Sequence, residues 1–134
     1  MSHYLKGKKK DEMEGLGRDF LNFLHKEGII KGNFIEKINK YKSDEYEVAI
    51  VSASPDVWIK PFSESLQITA HCTELEYSEG VFTGNLGSKN CNYIEKKHRV
   101  LKHFKLEEFE EIIVYGDSSG DKEMMELATH KNWV

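Results

Sequence analysis

The sequence predicts an α/β fold built around a parallel sheet, and three observations predict it. Two short apolar, β-prone runs, Val48 to Val51 and Ile112 to Tyr115, sit among stretches of helical periodicity. Each run breaks off into a loop of small and polar residues, Ser52 to Asp56 after the first and Gly116 to Gly120 after the second. A helix is expected after each loop, over Pro55 to Glu64 and over Lys122 to Ala128, so that strand, loop and helix follow one another twice.

The remaining elements fill in around these two units. From Asp11 to His25, Met13, Leu16, Phe20, Phe23 and Leu24 recur at helical spacing, which predicts an amphipathic helix stopped by Gly28. The four lysines between Lys6 and Lys10 are followed at once by Asp11, Glu12 and Glu14, the mark of a mixed, solvated helix entrance. Phe34, Ile38 and Tyr41 predict a second helix from Asn33 to Lys42. A further strand is expected within Gln67 to Leu75, then a turn over Gly80 to Gly84 with Val81 and Phe82 beside it. Val100, Leu101 and Phe104 mark the inner face of a helix that starts near Tyr93 or Ile94, and Met124, Met125 and Leu127 read as core. At 134 residues, 39% of them hydrophobic, the chain suffices for one compact unit.

Composition excludes several classes. A formal net charge of -4 gives no electrostatic case for nucleic acid, so any phosphate must be held locally. The longest apolar runs fall far short of the roughly 20 residues that span a bilayer, and Met1 to Lys6 does not lead into a secretory signal. No membrane insertion and a cytoplasmic location are therefore expected. Cys72 and Cys91 lack partners at finger-like spacing, and His71, His98, His103 and His130 have no paired spacing, so neither zinc nor a disulfide is expected.

Three segments carry chemistry. In open α/β sheets ligands sit beyond the carboxyl ends of the strands, where both loops are placed. Ser52, directly after the first strand and facing a helix start, can donate to a phosphoryl oxygen beside backbone N–H groups such as that of Ala53; Ser54 reads more simply as a helix cap. In Gly116-Asp117-Ser118-Ser119-Gly120-Asp121, two carboxylates four residues apart can hold a hard cation, directly and through a hydrogen-bonded second layer, with Ser118 orienting one of them. The alternative is an ordinary turn in which Asp117 and Asp121 cap backbone groups. Within Asn90 to Arg99, a lysine between carboxylates and a phosphoryl group would neutralise negative charge; alone, such a lysine is solvated surface.

In order and spacing, Val48 to Ser54, Asn90-Cys91 to Lys96, and Gly116 to Asp121 resemble the second, third and fourth motifs of haloacid dehalogenase-like (HAD) hydrolases, most closely the phosphoserine-phosphatase-like branch of subfamily IB. The resemblance implies a Rossmann-like core with a parallel sheet over residues 46–134 and part of a small helical cap over residues 1–45, with Tyr4-Leu5-Lys6-Gly7 and the following helix in its later part. It further implies that Ser52 and Ala53 bind the transferring phosphoryl group, that Lys96 is the motif lysine with Lys97 as fallback, and that Asp117 with Asp121 forms a magnesium site supported by Ser118. Where the pattern often has glycine, Tyr93 stands. The implied reaction is magnesium-dependent hydrolysis of a small phosphomonoester, in which an aspartate attacks phosphorus and water then cleaves the aspartyl-phosphate. The Asp-x-Asp-x-Thr segment that would supply that aspartate, at the end of the first and central strand, does not occur in these 134 residues. A truncated hydrolase is the expectation. The alternative is an inactive remnant that binds phosphate, magnesium or a partner chain, as a homo-oligomer or through an exposed sheet edge.

Overall fold

The computed structural model describes residues 5–28 and 32–134. Met1 to Tyr4, and with them the readings of the N-terminus and of Tyr4, lie outside the described residues. Helix α1 (Lys10–Lys26) carries Asp11 and Glu12 in its first turn and His25 and Lys26 in its last, the charge order that the helix dipole favours. It ends at Glu27 and Gly28, the latter at φ +66°. Helix α2 (Gly32–Ser43) follows.

Strand β1 (Ala49–Pro55), helix α3 (Asp56–Leu66) and strand β2 (Thr69–Thr73) form a parallel unit, paired from Ala49 with Thr69 to Ser52 with Cys72. Strands β3 (Leu75–Ser78) and β4 (Val81–Leu86) form a hairpin whose two turn residues, Glu79 and Gly80, both have positive φ, as a tight primed turn requires. Helix α4 (Ile94–His103) leads through a 3-10 turn at Leu106–Glu108 to β5 (Ile113–Gly116). A second 3-10 turn (Ser119–Asp121), the short helix α5 (Lys122–Met125) and β6 (His130–Trp133) complete the chain, with β6 parallel to β5.

Met13, Val57, Leu75 and Phe82 form the buried core, with Leu5, Leu16, Trp58 and Tyr77 packed around them. Helices α1 and α3 approach closely enough that a Cβ on Gly17 would lie 2.0 Å from the Val57 carbonyl oxygen and 3.2 Å from the Pro61 ring. Pro61 lies inside α3 and has no N–H to give the carbonyl four residues before it, which is that of Val57.

Several expectations need correction. The strand expected to stop at Val51 stays extended through Pro55, because pairing with β2 continues through Ser52 and resumes at Thr73 after an irregularity. Pro55, not Ser54, is the residue that precedes α3. The strand expected within Gln67 to Leu75 is present as Thr69–Thr73, but Leu75 already opens the next strand, and Gly84 belongs to β4 rather than to the turn. Leu101 is 49% exposed, so the inner face of α4 runs through Lys96 and Val100 instead, and Phe104 lies just past the helix end. Helix α5 stops at Met125, and β6 was not foreseen.

The two parallel pairs stand side by side without bonding to each other. At their N-terminal ends the Tyr46 hydroxyl donates to Glu111 at 2.9 Å, and farther along β5 the Tyr115 hydroxyl is hydrogen-bonded to that of Tyr41 on α2, also at 2.9 Å. Between them lies a cavity of about 580 Å³.

Candidate functional site

At the C-terminal end of β1, the Ser52 Oγ accepts the Ser54 N–H at 3.1 Å, while the Ser52 N–H points back at the Cys91 sulfur. Cys91 is fully buried and belongs to a loop that Thr73 anchors: Thr73 Oγ1 accepts the Cys91 N–H at 2.9 Å and donates to Asn90 Oδ1 at 3.1 Å. The same loop reaches the end of β5, where the Tyr93 N–H donates to the Gly120 carbonyl at 3.0 Å. Contact there is tight, since a Cβ on Gly120 would lie 2.2 Å from Asn92 Oδ1. One loop thus joins the ends of β1 and β2 to the acidic turn after β5. Tyr93 makes this crossing at φ 50°, ψ -126°, a conformation that favours glycine.

Helix α4 starts at that crossing and buries Lys96, whose Nζ is hydrogen-bonded to Asp121 Oδ1. Only 8% of Lys96 and 5% of Asp121 are exposed. The other carboxylate oxygen of Asp121 accepts the N–H groups of Asp117 at 3.0 Å and Ser118 at 3.4 Å. Gly116 allows this closure, because a Cβ there would lie 2.8 Å from Asp121 Cβ. Burial pushes the Asp121 carboxyl up, but the Lys96 ammonium and the two backbone donors outweigh it and hold the group below its ordinary value. The Asp117 side chain, by contrast, is exposed and has no hydrogen bond or ion pair among the described residues. Lys97 points elsewhere, to Glu126 at 3.6 Å.

The structure therefore brings Ser52, Ala53, Lys96, Asp117, Ser118 and Asp121 to one end of the two parallel pairs. The histidines stay apart from it. His71 stacks on His103 with ring centroids 4.3 Å apart, His98 faces Glu95, and His130 contacts Thr129. Both cysteines are free and buried. Among the described residues no group of three or more His, Cys, Asp or Glu is placed to hold a metal, and no helix is long and apolar enough to cross a membrane.

Sequence reasoning missed the fixtures. Arg99 donates to the Cys72 carbonyl at 2.9 Å, the Lys89 carbonyl at 3.1 Å and Glu95 at 2.9 Å, locking α4 against β2 and the loop. Only the Glu95–Arg99 spacing was visible in advance. Thr73 and Asn92 left no signal, since their partners are remote in sequence.

Known proteins resemble this chain in sequence and in fold. The chain is 28% identical over 132 residues to Protein CicA of Caulobacter vibrioides, covering 97% of this chain and 59% of that protein. A Bordetella pertussis protein of unknown function superposes with a TM-score of 0.85 at 18% identity, over 97% of this chain and 60% of its own. A substrate-bound phosphoserine phosphatase superposes with a TM-score of 0.62 at 26% identity, over 72% of this chain and 48% of the enzyme. The chain thus spans less than two thirds of the length of each of these relatives. The model of the HAD, or haloacid dehalogenase-like, hydrolases matches residues 1–126, and the chain belongs to that family.

Proposed function

We propose that this chain carries the phosphate-binding and cation-binding part of a magnesium-dependent phosphomonoester hydrolase of the phosphoserine-phosphatase-like branch. The observation that carries the reading is the buried Lys96–Asp121 pair beside the exposed, unengaged carboxylate of Asp117. In this reading Ser52 and the backbone at Ala53 hold the phosphoryl oxygens, and Lys96 neutralises charge that gathers on them. Asp121 is a positioning residue: its two oxygens are taken up by Lys96 and by the N–H groups of Asp117 and Ser118, so it fixes the lysine and the turn. Asp117 is the group that would hold magnesium. One free carboxylate fits a cation that keeps several waters and takes its remaining ligands from substrate phosphate. When bound, magnesium would supply further charge neutralisation at the phosphoryl oxygens. Residues 1–45 are proposed as cap-derived and 46–134 as the core, with the protein acting on small molecules in the cytoplasm.

Phosphate release from a panel of small phosphomonoesters, with and without magnesium, tests the reading, using this chain beside a version extended upstream in its own reading frame. Turnover by the extended protein that falls at least about a hundredfold in Lys96→Met is expected. No turnover by either form would overturn it. A second reading, a non-catalytic phosphate or magnesium binder, draws on the lack of an Asp-x-Asp-x-Thr segment in these 134 residues; it predicts binding without turnover in both forms.

A further inference from the structure

Tyr93 holds a backbone conformation that its own side chain opposes. At φ 50°, ψ -126°, with the Glu95 N–H bonded to the Asn92 carbonyl at 3.0 Å, it fills the second position of a type II′ turn, a place that suits glycine. The bonds it makes are backbone bonds: its N–H reaches the Gly120 carbonyl at 3.0 Å, and its carbonyl accepts the Lys96 N–H at 3.1 Å. Glycine would make both without strain. The side chain itself is 52% exposed and has no hydrogen bond or ring contact among the described residues. The other described residues that have positive φ without being glycine, Glu45, Gln67 and Glu79, are polar; only Tyr93 sets a ring in such a place.

The loop that carries this ring also holds Cys91 against the Ser52 N–H, and it opens α4 one turn before Lys96. Through Gly120 it is fastened to the turn that bears Asp117 and Asp121. The groups assigned above to phosphate and cation are thus all on elements that this loop joins. Backbone strain kept at such a point, with no contact in the fold to offset it, marks a group that serves a ligand. A half-exposed aromatic ring beside a phosphoryl site offers a planar, apolar face to the leaving group. Stacking on that face needs no charge, whereas an ammonium drawn to it would come up beside the Lys96 ammonium.

We propose that Tyr93 is a specificity-determining residue of the phosphoryl site, and that the phosphomonoesters this site favours carry a planar aromatic ring in the leaving group, stacked on the Tyr93 ring. The phosphoryl group is held by Ser52, Ala53 and Lys96 whatever its leaving group, so the ring adds discrimination among esters rather than affinity for phosphate. The proposal rests on the phosphohydrolase reading of the site given above.

The test is binding of phosphonates, which cannot be hydrolysed, measured by calorimetry on the 134-residue chain with magnesium. Phenylphosphonate should bind at least about tenfold more tightly than methylphosphonate. Tyr93→Phe should keep that ratio, and Tyr93→Gly should bring it below about threefold, with the fold intact by circular dichroism. A ratio near one in the native chain, a ratio that survives Tyr93→Gly, or one that is lost in Tyr93→Phe would overturn the proposal. So would cyclohexylphosphonate or aminoethylphosphonate that binds as tightly as phenylphosphonate, since the ring would then be a plain apolar contact or a cation site. Inorganic phosphate separates the proposal from the reading beneath it. Phosphate that binds the native chain and not Lys96→Met upholds that reading, and a missing phenyl preference then sinks the role of Tyr93 alone. Phosphate that fails to bind, or that binds Lys96→Met equally, overturns both.

Discussion

Replacing Lys96 by Met removes one charge from a buried pair while keeping an unbranched side chain of similar length. Asp121, 5% exposed, then loses the donor on Oδ1 but keeps two backbone N–H donors on Oδ2. Breaking a buried pair by removing one partner costs about 3–5 kcal/mol, and the retained donors place this case near the lower figure, about 3 kcal/mol. For 134 residues that corresponds to about 11 °C in melting temperature. The pH dependence carries a sign. In the native chain the Asp121 carboxyl is held below its ordinary value, so its stabilisation is present above the unfolded value near pH ~4 and is lost as pH falls through the folded value. In Lys96→Met, burial is less opposed and the carboxyl rises. The gap between the two proteins should therefore be widest near about pH 7 and narrow in acid. Thermal unfolding followed by circular dichroism across this range measures it. Lys96→Met/Asp121→Asn should recover about 1 kcal/mol, since no unpaired charge remains buried. A gap under about 1 kcal/mol at neutral pH, the value of a surface ion pair, or one that does not change with pH, would refute the reasoning.

Three other outcomes are expected. Tyr93→Gly should raise stability by about 1 kcal/mol, because the φ 50°, ψ -126° backbone suits glycine and the ring is half exposed; a lower urea midpoint would contradict this. Gly17→Ala should destabilise by about 1–3 kcal/mol although alanine is the better helix former, since its Cβ meets the Val57 carbonyl; the sign of the shift in urea midpoint decides between the two effects. Burial above all, with the nearby Asp56 charge adding to it, pushes the Cys72 thiol up to about 11. Iodoacetamide near pH ~8 should therefore label Cys72 about a hundredfold more slowly in the folded protein than in urea, as followed by mass spectrometry.

Much of the fold was legible because it follows local pattern. Helix α1 declares itself through Met13, Leu16, Phe20 and Phe23, and β5 through Ile113, Val114 and Tyr115. The misses occurred where tertiary pairing overrides local preference. Ser52 to Pro55 is not β-prone, yet pairing with β2 draws it into the strand. His130 to Trp133 shows no apolar alternation, yet it pairs with β5 at the sheet edge. In the site, the acidic turn and Ser52 could be read from residue type and position, whereas the choice of Lys96 over Lys97 came from resemblance. Periodicity would not place a lysine on the buried stripe that continues to Val100, because its burial depends on Asp121, 25 residues away.

The contact of α1 with α3 bears on how such sequences drift. Glycine and proline are the two residues least suited to helix interiors, and here one sits in each helix at the same point of contact. Pro61 leaves the Val57 carbonyl without a helical donor, and Gly17 exposes backbone that can come up to that oxygen. Each residue makes the other tolerable. A lineage that restores a side chain at position 17 would be expected to reseat the helices or replace the proline as well, so these two positions should change together more often than either changes alone.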